Sequence, residues 1–386
     1  MSPGPEPRAV SPGPEPGAVG GGPDERGGVS PGPEPGAVGG GPERGAAGGT
    51  PDPGSMTSWY RAHARDLPWR EPGTTPWGVL VSEVMSQQTP VARVAPAWKV
   101  WMERWPSPAA LAQAETAEVL RAWGRLGYPR RALRLVECAR AVVEHHGGEL
   151  PQDLEELKGL PGIGEYTAGA VMAFAFGRRA LTLDTNVRRV LARAVGGQAL
   201  PEPSLSQAER RRADALLPRG DIEASAWSAA VMELGALVCT AKEPRCEQCP
   251  WRESCAWVAA GRPADAHAHR RRVQAWHGTD RQARGLVMAR LRAQAPGRAL
   301  ARELLETEAA RAGTRSGKSG AGAQSAAGGA GSRSEKNGAG RRQGKSDTDA
   351  QSGAGGDPQQ PSRVLAGLLA DGLVATDDDG ATFRLP

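Results

Sequence analysis

The 386-residue chain carries 48 Lys and Arg against 43 Asp and Glu, a formal net charge of +5, and its 52 Gly and 33 Pro make up more than a fifth of it. A chain so rich in Gly and Pro throughout cannot offset its conformational entropy by burial, so part of it is expected to be tail and linker. No run of about 18 apolar residues occurs and the opening stretch lacks an apolar signal core, so neither a membrane-spanning helix nor a secreted protein is expected, and the location expected is cytoplasmic.

Residues 1–54 repeat Ser-Pro-Gly-Pro-Glu-Pro from Ser2, Ser11 and Ser30 between glycine runs, the composition of a disordered tail. Residues 55–262 instead place apolar side chains at i, i+3, i+4 and i+7 in successive segments with Gly or Pro between them, which predicts an all-α domain. Helices are expected over 76–85, 94–104, 107–114, 117–126, 131–145, 167–176 and 185–195. A second low-complexity stretch, 313–360, reads as a disordered linker. It interrupts a small C-terminal module, 263–312 with 361–386, in which helices over 282–293, 299–305 and 362–371 precede a hairpin within 373–385 that turns at Asp379-Gly380. Helices followed by a terminal hairpin predict a winged-helix-like arrangement, and the adjacent Arg270-Arg271-Arg272 suits contact with DNA.

Three constellations carry chemistry. Cys239, Cys246, Cys249 and Cys255 follow the spacing Cys-x6-Cys-x2-Cys-x5-Cys. Four thiolates so close in sequence suit an iron-sulfur cluster, with zinc as the rival; structural zinc sites usually pair two Cys-x2-Cys knuckles, and this loop, 239–255, has one. Lys242 and Arg245 within it are placed for phosphate contacts or are ordinary solvated cations. Gly162 and Gly164, in Leu160-Pro161-Gly162-Ile163-Gly164, either turn a tight helical corner or open a helix whose first N–H groups can hold a phosphate. Asp184, in Leu183-Asp184-Thr185-Asn186, is expected to cap a helix, a position that keeps a carboxylate ionised. Glu83 sits among Val79, Leu80, Val84 and Met85, where partial burial raises a carboxyl toward the range of a general acid. Gln87, Gln88 and Thr89 follow it as uncharged groups able to read base edges.

Taken in order, Asp66-Leu67-Pro68-Trp69-Arg70, Ser82-Glu83-Val84-Met85-Ser86-Gln87-Gln88-Thr89, Gly127-Tyr128, the glycine hairpin, the Leu183-Asp184-Thr185-Asn186 segment and Glu233-Leu234-Gly235 before the cysteines resemble the helix-hairpin-helix DNA glycosylases that bear a 4Fe-4S cluster, most closely the adenine DNA glycosylase (MutY) branch. The resemblance covers roughly residues 58–258. It implies a monomeric, monofunctional base excision repair enzyme acting in the bacterial nucleoid on double-stranded DNA with adenine opposite 8-oxoguanine or guanine. In it, Glu83 protonates the base, Asp184 stabilises the cationic sugar, Gln88 and Thr89 contact the oxidised guanine and Tyr128 is a stacking wedge. Tyr166 takes the place of the lysine that cleaves the strand in the endonuclease III branch, and is expected to hydrogen-bond Asp184 or its product. Ser86, and Ser228-Ala229, depart from the family pattern, and no Nudix-like domain follows Cys255. A thymine or other mismatch glycosylase, and a non-catalytic DNA-binding module of the same fold, are the alternatives.

Overall fold

The computed structural model describes residues 51–270, 276–313, 357–376 and 379–386. The tail over 1–50, the linker over 314–356, Arg271, Arg272, Asp377 and Asp378 lie outside the described residues.

The first helices are α1 (Pro53–His63), α2 (Pro76–Ser86), α3 (Val91–Arg104), α4 (Pro108–Ala112), α5 (Thr116–Trp123), α6 (Arg130–His145) and α7 (Leu154–Gly159). Then come α8 (Glu165–Phe174), α9 (Thr185–Ala194), α10 (Gln207–Leu216), α11 (Asp221–Leu237) and α12 (Ala256–Ala259). Their starts follow from local chemistry: Thr75, Ser107, Asp153, Asp184 and Ser206 accept backbone N–H bonds as caps, and Pro opens α2 and α4, where its missing N–H costs nothing. The predicted helices agree with the observed ones to within a few residues at either end. Residues 51–54, expected to be tail, are folded: the Asp52 side chain accepts from the N–H groups of Gly54 and Ser55, and its carbonyl accepts from the Trp251 indole at 2.8 Å.

Two apolar cores form two lobes. One gathers Leu80, Met85, Trp101, Trp123, Leu135 and Leu157, with Trp101 making edge contacts to Trp105 and Trp123 at 4.6 and 5.5 Å between ring centres. The other joins α1 to α9 and α11 through Met56, Val190, Trp227, Leu234 and Trp251. Glu83 belongs to the first lobe and Asp184 to the second, and both line the cleft between them.

The C-terminal module comprises α13 (Asp280–Arg292), β1 (Leu300–Ala301), α14 (Arg302–Ala310), α15 (Gln360–Ala370) and β2 (Thr382–Phe383). Two expectations change here. Leu300 and Ala301, expected in a helix, instead pair antiparallel with Phe383 and Thr382, because Leu300 and Phe383 are both drawn into the module core. Among the described residues the hairpin within 373–385 is held by a bridge between Ala375 and Arg384, and β1 adds a further strand by pairing with β2. Gln360, expected to be linker, is buried and donates to Gly278 O and Asp280 Oδ1 at 2.8 and 3.0 Å.

Candidate active site

Glu83 lies on α2 between the buried residues Ser82 and Val84. Burial pushes its carboxyl up to about 7, against the pull of a hydrogen bond from Tyr166, and the Asp184 charge adds to the rise. The Tyr166 hydroxyl donates to Glu83 Oε2 at 2.9 Å. The expected partner, Asp184, is therefore corrected to Glu83. The reason is geometric: Tyr166 is the second residue of α8, which packs on α2, while both Asp184 oxygens are taken by their own turn. Burial, with Glu83 and Asp184 nearby, holds the phenol well above its ordinary range, so it stays a neutral donor. A donor fixed on Oε2 leaves Oε1 to carry the carboxyl proton.

Asp184 caps α9 as expected. Its Oδ1 accepts from the Val187 N–H at 2.7 Å and its Oδ2 from Asn186 Nδ2 at 2.8 Å. These bonds pull its carboxyl down, as a cap does, but burial outweighs them and the net shift is upward. The turn is held from behind. Asn186 Oδ1 accepts from Arg189, whose guanidinium also donates to Gly235 O and Cys239 O at 2.7 Å each. Gly235 allows this approach, since a Cβ there would stand 2.7 Å from the Asn186 Cβ and 2.9 Å from its carbonyl oxygen. One arginine thus ties the Asp184 turn to the first cysteine of the loop.

The cleft, about 2660 Å3 and open to solvent, also brings Gln88 and Thr89 together with Glu83, Tyr166 and Asp184. Gln88 is exposed with φ +52°, a left-handed backbone that non-glycine residues seldom adopt. Thr89 does not fit its expected role: its hydroxyl is buried, 3.0 Å from Leu126 O, and accepts from Arg131 at 3.0 Å, so it braces the turn that presents Gln88. Tyr128 is part exposed, also left-handed at φ +45°, and its loop is tied to the Gln88 turn through Arg131.

Arg131 was not singled out in the sequence. It donates to the carbonyls of Val84, Met85, Gln87, Leu126 and Gly127 within 2.7–3.2 Å, joining the end of α2, the Gln88 turn and the Tyr128 loop. Substitution by Met would strand several carbonyls, each worth about 1–3 kcal/mol if left buried and unpaired. Arg131→Met is expected to lose on the order of 2–3 kcal/mol in urea unfolding, and stability within about 0.5 kcal/mol of wild type would contradict the role.

Arg65, Arg70 and Glu233 were also missed as a unit. Glu233 is fully buried, takes Arg65 Nε and Arg70 at 2.6 and 2.9 Å, and lines the same cleft. Burial raises its carboxyl, but the two guanidiniums more than offset that and hold it below its ordinary value.

Gly162 and Gly164 divide. Gly162 has φ +78° and a Cβ there would fall 2.8 Å from the Arg134 Cβ, so glycine is required. Gly164 has an extended backbone and open space around it; as the cap of α8 it offers no side-chain acceptor, leaving the first N–H groups of that helix to an outside anion.

Away from the cleft, Cys239, Cys246, Cys249 and Cys255 line one small pocket with Leu234 and Trp257. Arg193 spans its mouth, donating to Cys239 Sγ at 3.3 Å and to Thr240 O at 2.7 Å. Among the described residues no three His, Cys, Asp or Glu side chains converge on one point suited to a single metal ion. Four thiols around one pocket are the donor set that a 4Fe-4S cluster or a structural zinc would need. Lys242 and Arg245 project from this loop, exposed and outside the lining of the cleft.

The description "HhH-GPD superfamily base excision DNA repair protein" belongs to the family model that matches residues 81–213. The chain is 53% identical over 241 residues to the adenine DNA glycosylase of Mycobacterium tuberculosis, spanning 62% of this chain and 78% of that one. It is 52% identical over 240 residues to the adenine DNA glycosylase of Mycolicibacterium smegmatis, spanning 62% and 80%. Against the thymine-DNA glycosylase of Aeropyrum pernix the identity is 32% over 207 residues, spanning 52% and 91%. The chain belongs to the adenine DNA glycosylase family, and it is a DNA-binding enzyme of base excision repair.

Proposed function

We propose that this glycosylase removes adenine mispaired with 8-oxoguanine or guanine, as a monomer and without cutting the strand. The observation that carries the reading is the Glu83–Tyr166 pair: a carboxyl raised to about 7 and oriented by a neutral phenol, opposite Asp184. Adenine is a poor leaving group until a ring nitrogen is protonated, and a carboxyl of that strength holds a proton at neutral pH yet gives it up readily. The mispaired base must first leave the helix, a step costing a few kcal/mol and cheapest for a mispair. Glu83 Oε1 delivers the proton, the glycosidic bond breaks, and the electron pair leaves with the base. Asp184 stabilises the positive charge left on the sugar, and water completes hydrolysis. Arg65, Arg70 and Glu233 give the same cleft fixed polar groups that suit a purine edge.

Tyr166 offers no amine for a Schiff base, so strand scission by that route is closed. The N–H groups at the start of α8, and Lys242 and Arg245, are the groups assigned to DNA phosphates. Thymine excision is disfavoured because its release calls for no such ring protonation, and the relatives with the higher identity carry the adenine name. The test is single-turnover base release from duplexes with A opposite 8-oxoguanine, A opposite G, and T opposite G. Release from the first two with an intact strand is expected; release confined to T opposite G would overturn the reading.

Cys239, Cys246, Cys249 and Cys255 would hold a 4Fe-4S cluster, which when bound serves as a rigid brace for the loop. The Arg189 bonds to Cys239 O and Asn186 carry that rigidity toward Asp184. Protein purified anaerobically is expected to contain about four irons per chain. Stoichiometric zinc without iron would contradict the assignment.

A further inference from the structure

The walls of the cleft differ in chemistry. From α11 it receives Ala226, Ala229, Met232 and Ala236, a nearly apolar face. Two polar groups of the same helix also line it, and both are engaged. The Ser225 hydroxyl donates to Ala173 O at 2.6 Å. Glu233 accepts from Arg65 on both oxygens and from Arg70 on Oε2, within 2.6–3.0 Å. The two guanidiniums, for their part, carry donors and no acceptor. A base edge that offers N–H groups therefore finds no free side-chain acceptor on α11 or on these arginines.

Tyr60, on α1, supplies one. It lines the cleft half-buried, and the Arg70 guanidinium carbon lies 5.5 Å from the centre of its ring. Arg70 contacts the ring and Glu233 at once, which limits how far the ring can turn. Among the described residues the Tyr60 hydroxyl has no hydrogen-bond partner. Burial holds the phenol above its ordinary range against the pull of Arg70, so it stays neutral, able to accept one bond and to give one. Water serves that hydroxyl while the cleft is open. Once a base displaces the water, a hydroxyl left unmatched costs binding free energy. Adenine brings a matching group in its 6-amine, a pair of N–H donors.

Resting on the adenine-excising reading above, we propose that Tyr60 selects the base by accepting a hydrogen bond from the 6-amine of the extruded purine. The apolar face of α11 packs on the ring of that base, and Arg70 keeps the phenol turned toward it. Glu83 and Asp184 act on the glycosidic bond; Tyr60 decides which base is held for them.

The experiment is single-turnover release, with full-length protein in saturating excess, from duplexes that carry adenine or its analogue without the 6-amine, purine itself, opposite 8-oxoguanine. Tyr60→Phe is expected to slow adenine release about fivefold to tenfold, the worth of one lost neutral hydrogen bond, and to leave purine release within about twofold. The variant should melt like wild type, because the hydroxyl bonds no protein group. His63→Ala, which removes an exposed ring from the same helix, is expected to change neither rate. Equal slowing on both bases would make Tyr60 a packing residue and overturn the proposal, as would unchanged release of adenine. A wild type that releases neither base would instead overturn the functional reading and this inference with it.

Discussion

Glu83→Gln is expected to abolish measurable base release, a loss of about 10²–10⁴ or more in single-turnover rate, because the amide keeps the shape and the Tyr166 hydrogen bond but has no proton to give. Mismatch binding should be nearly unchanged. The fold should not suffer either. A carboxyl raised from its ordinary 4.5 to about 7 stabilises the folded state fully only below the unfolded value, and that contribution is lost as pH rises through about 7. Above pH 7 the glutamine variant should therefore melt no lower than wild type. Retained turnover in a variant that binds and folds normally would remove Glu83 from the chemistry.

Asp184→Asn separates two functions of one side chain. Asparagine caps helices about as well as aspartate, so α9 should keep its start and the Val187 N–H its acceptor. What disappears is the negative charge facing the developing sugar cation, a loss of roughly 10²–10³ in rate. Asp184→Ala should add a folding penalty of about 1 kcal/mol for the missing cap. Rates for the asparagine variant equal to wild type would mean that the carboxylate serves only the helix.

Much of this site is legible in the residues because its parts obey local rules. An acidic residue before a run of helix formers is a cap, a glutamate inside an apolar helix face is raised by burial, and Gly162 stands where a tight turn needs a left-handed residue. Four clustered cysteines mark their loop on spacing alone. The helices were legible for the same reason, since period and punctuation are read within one segment. What escaped is long-range. Arg131 looks like any surface arginine until α2 and the Tyr128 loop fold against it and five carbonyls turn toward its guanidinium. Arg65 and Glu233 are 168 residues apart, and no pattern joins them before the lobes meet. The partner of Tyr166 was misassigned because sequence order places it between Glu83 and Asp184 without saying which helix it packs on. Thr89 was read as a base contact because polar character shows in sequence, while the direction of a hydroxyl does not. Strand β1 was hidden for a related reason: two residues carry no period, and only their pairing with β2 makes them a strand.

In the proposed mechanism Glu83 acts as a protonated acid because the fold holds its proton to neutral pH. The pH profile of single-turnover release on A opposite 8-oxoguanine tests it most directly, since binding is saturated and only groups in the complex titrate. With the carboxyl near 7, the active form dominates below that pH and is depleted about tenfold per unit above it. The rate should be highest on the acid side of neutrality and fall steadily toward about pH 9, with Tyr166→Phe shifting that limb upward as the bond favouring the charged carboxylate is lost. A rate that stays level or climbs between about pH 6 and about pH 9 in the wild type would contradict a protonated Glu83 as the general acid.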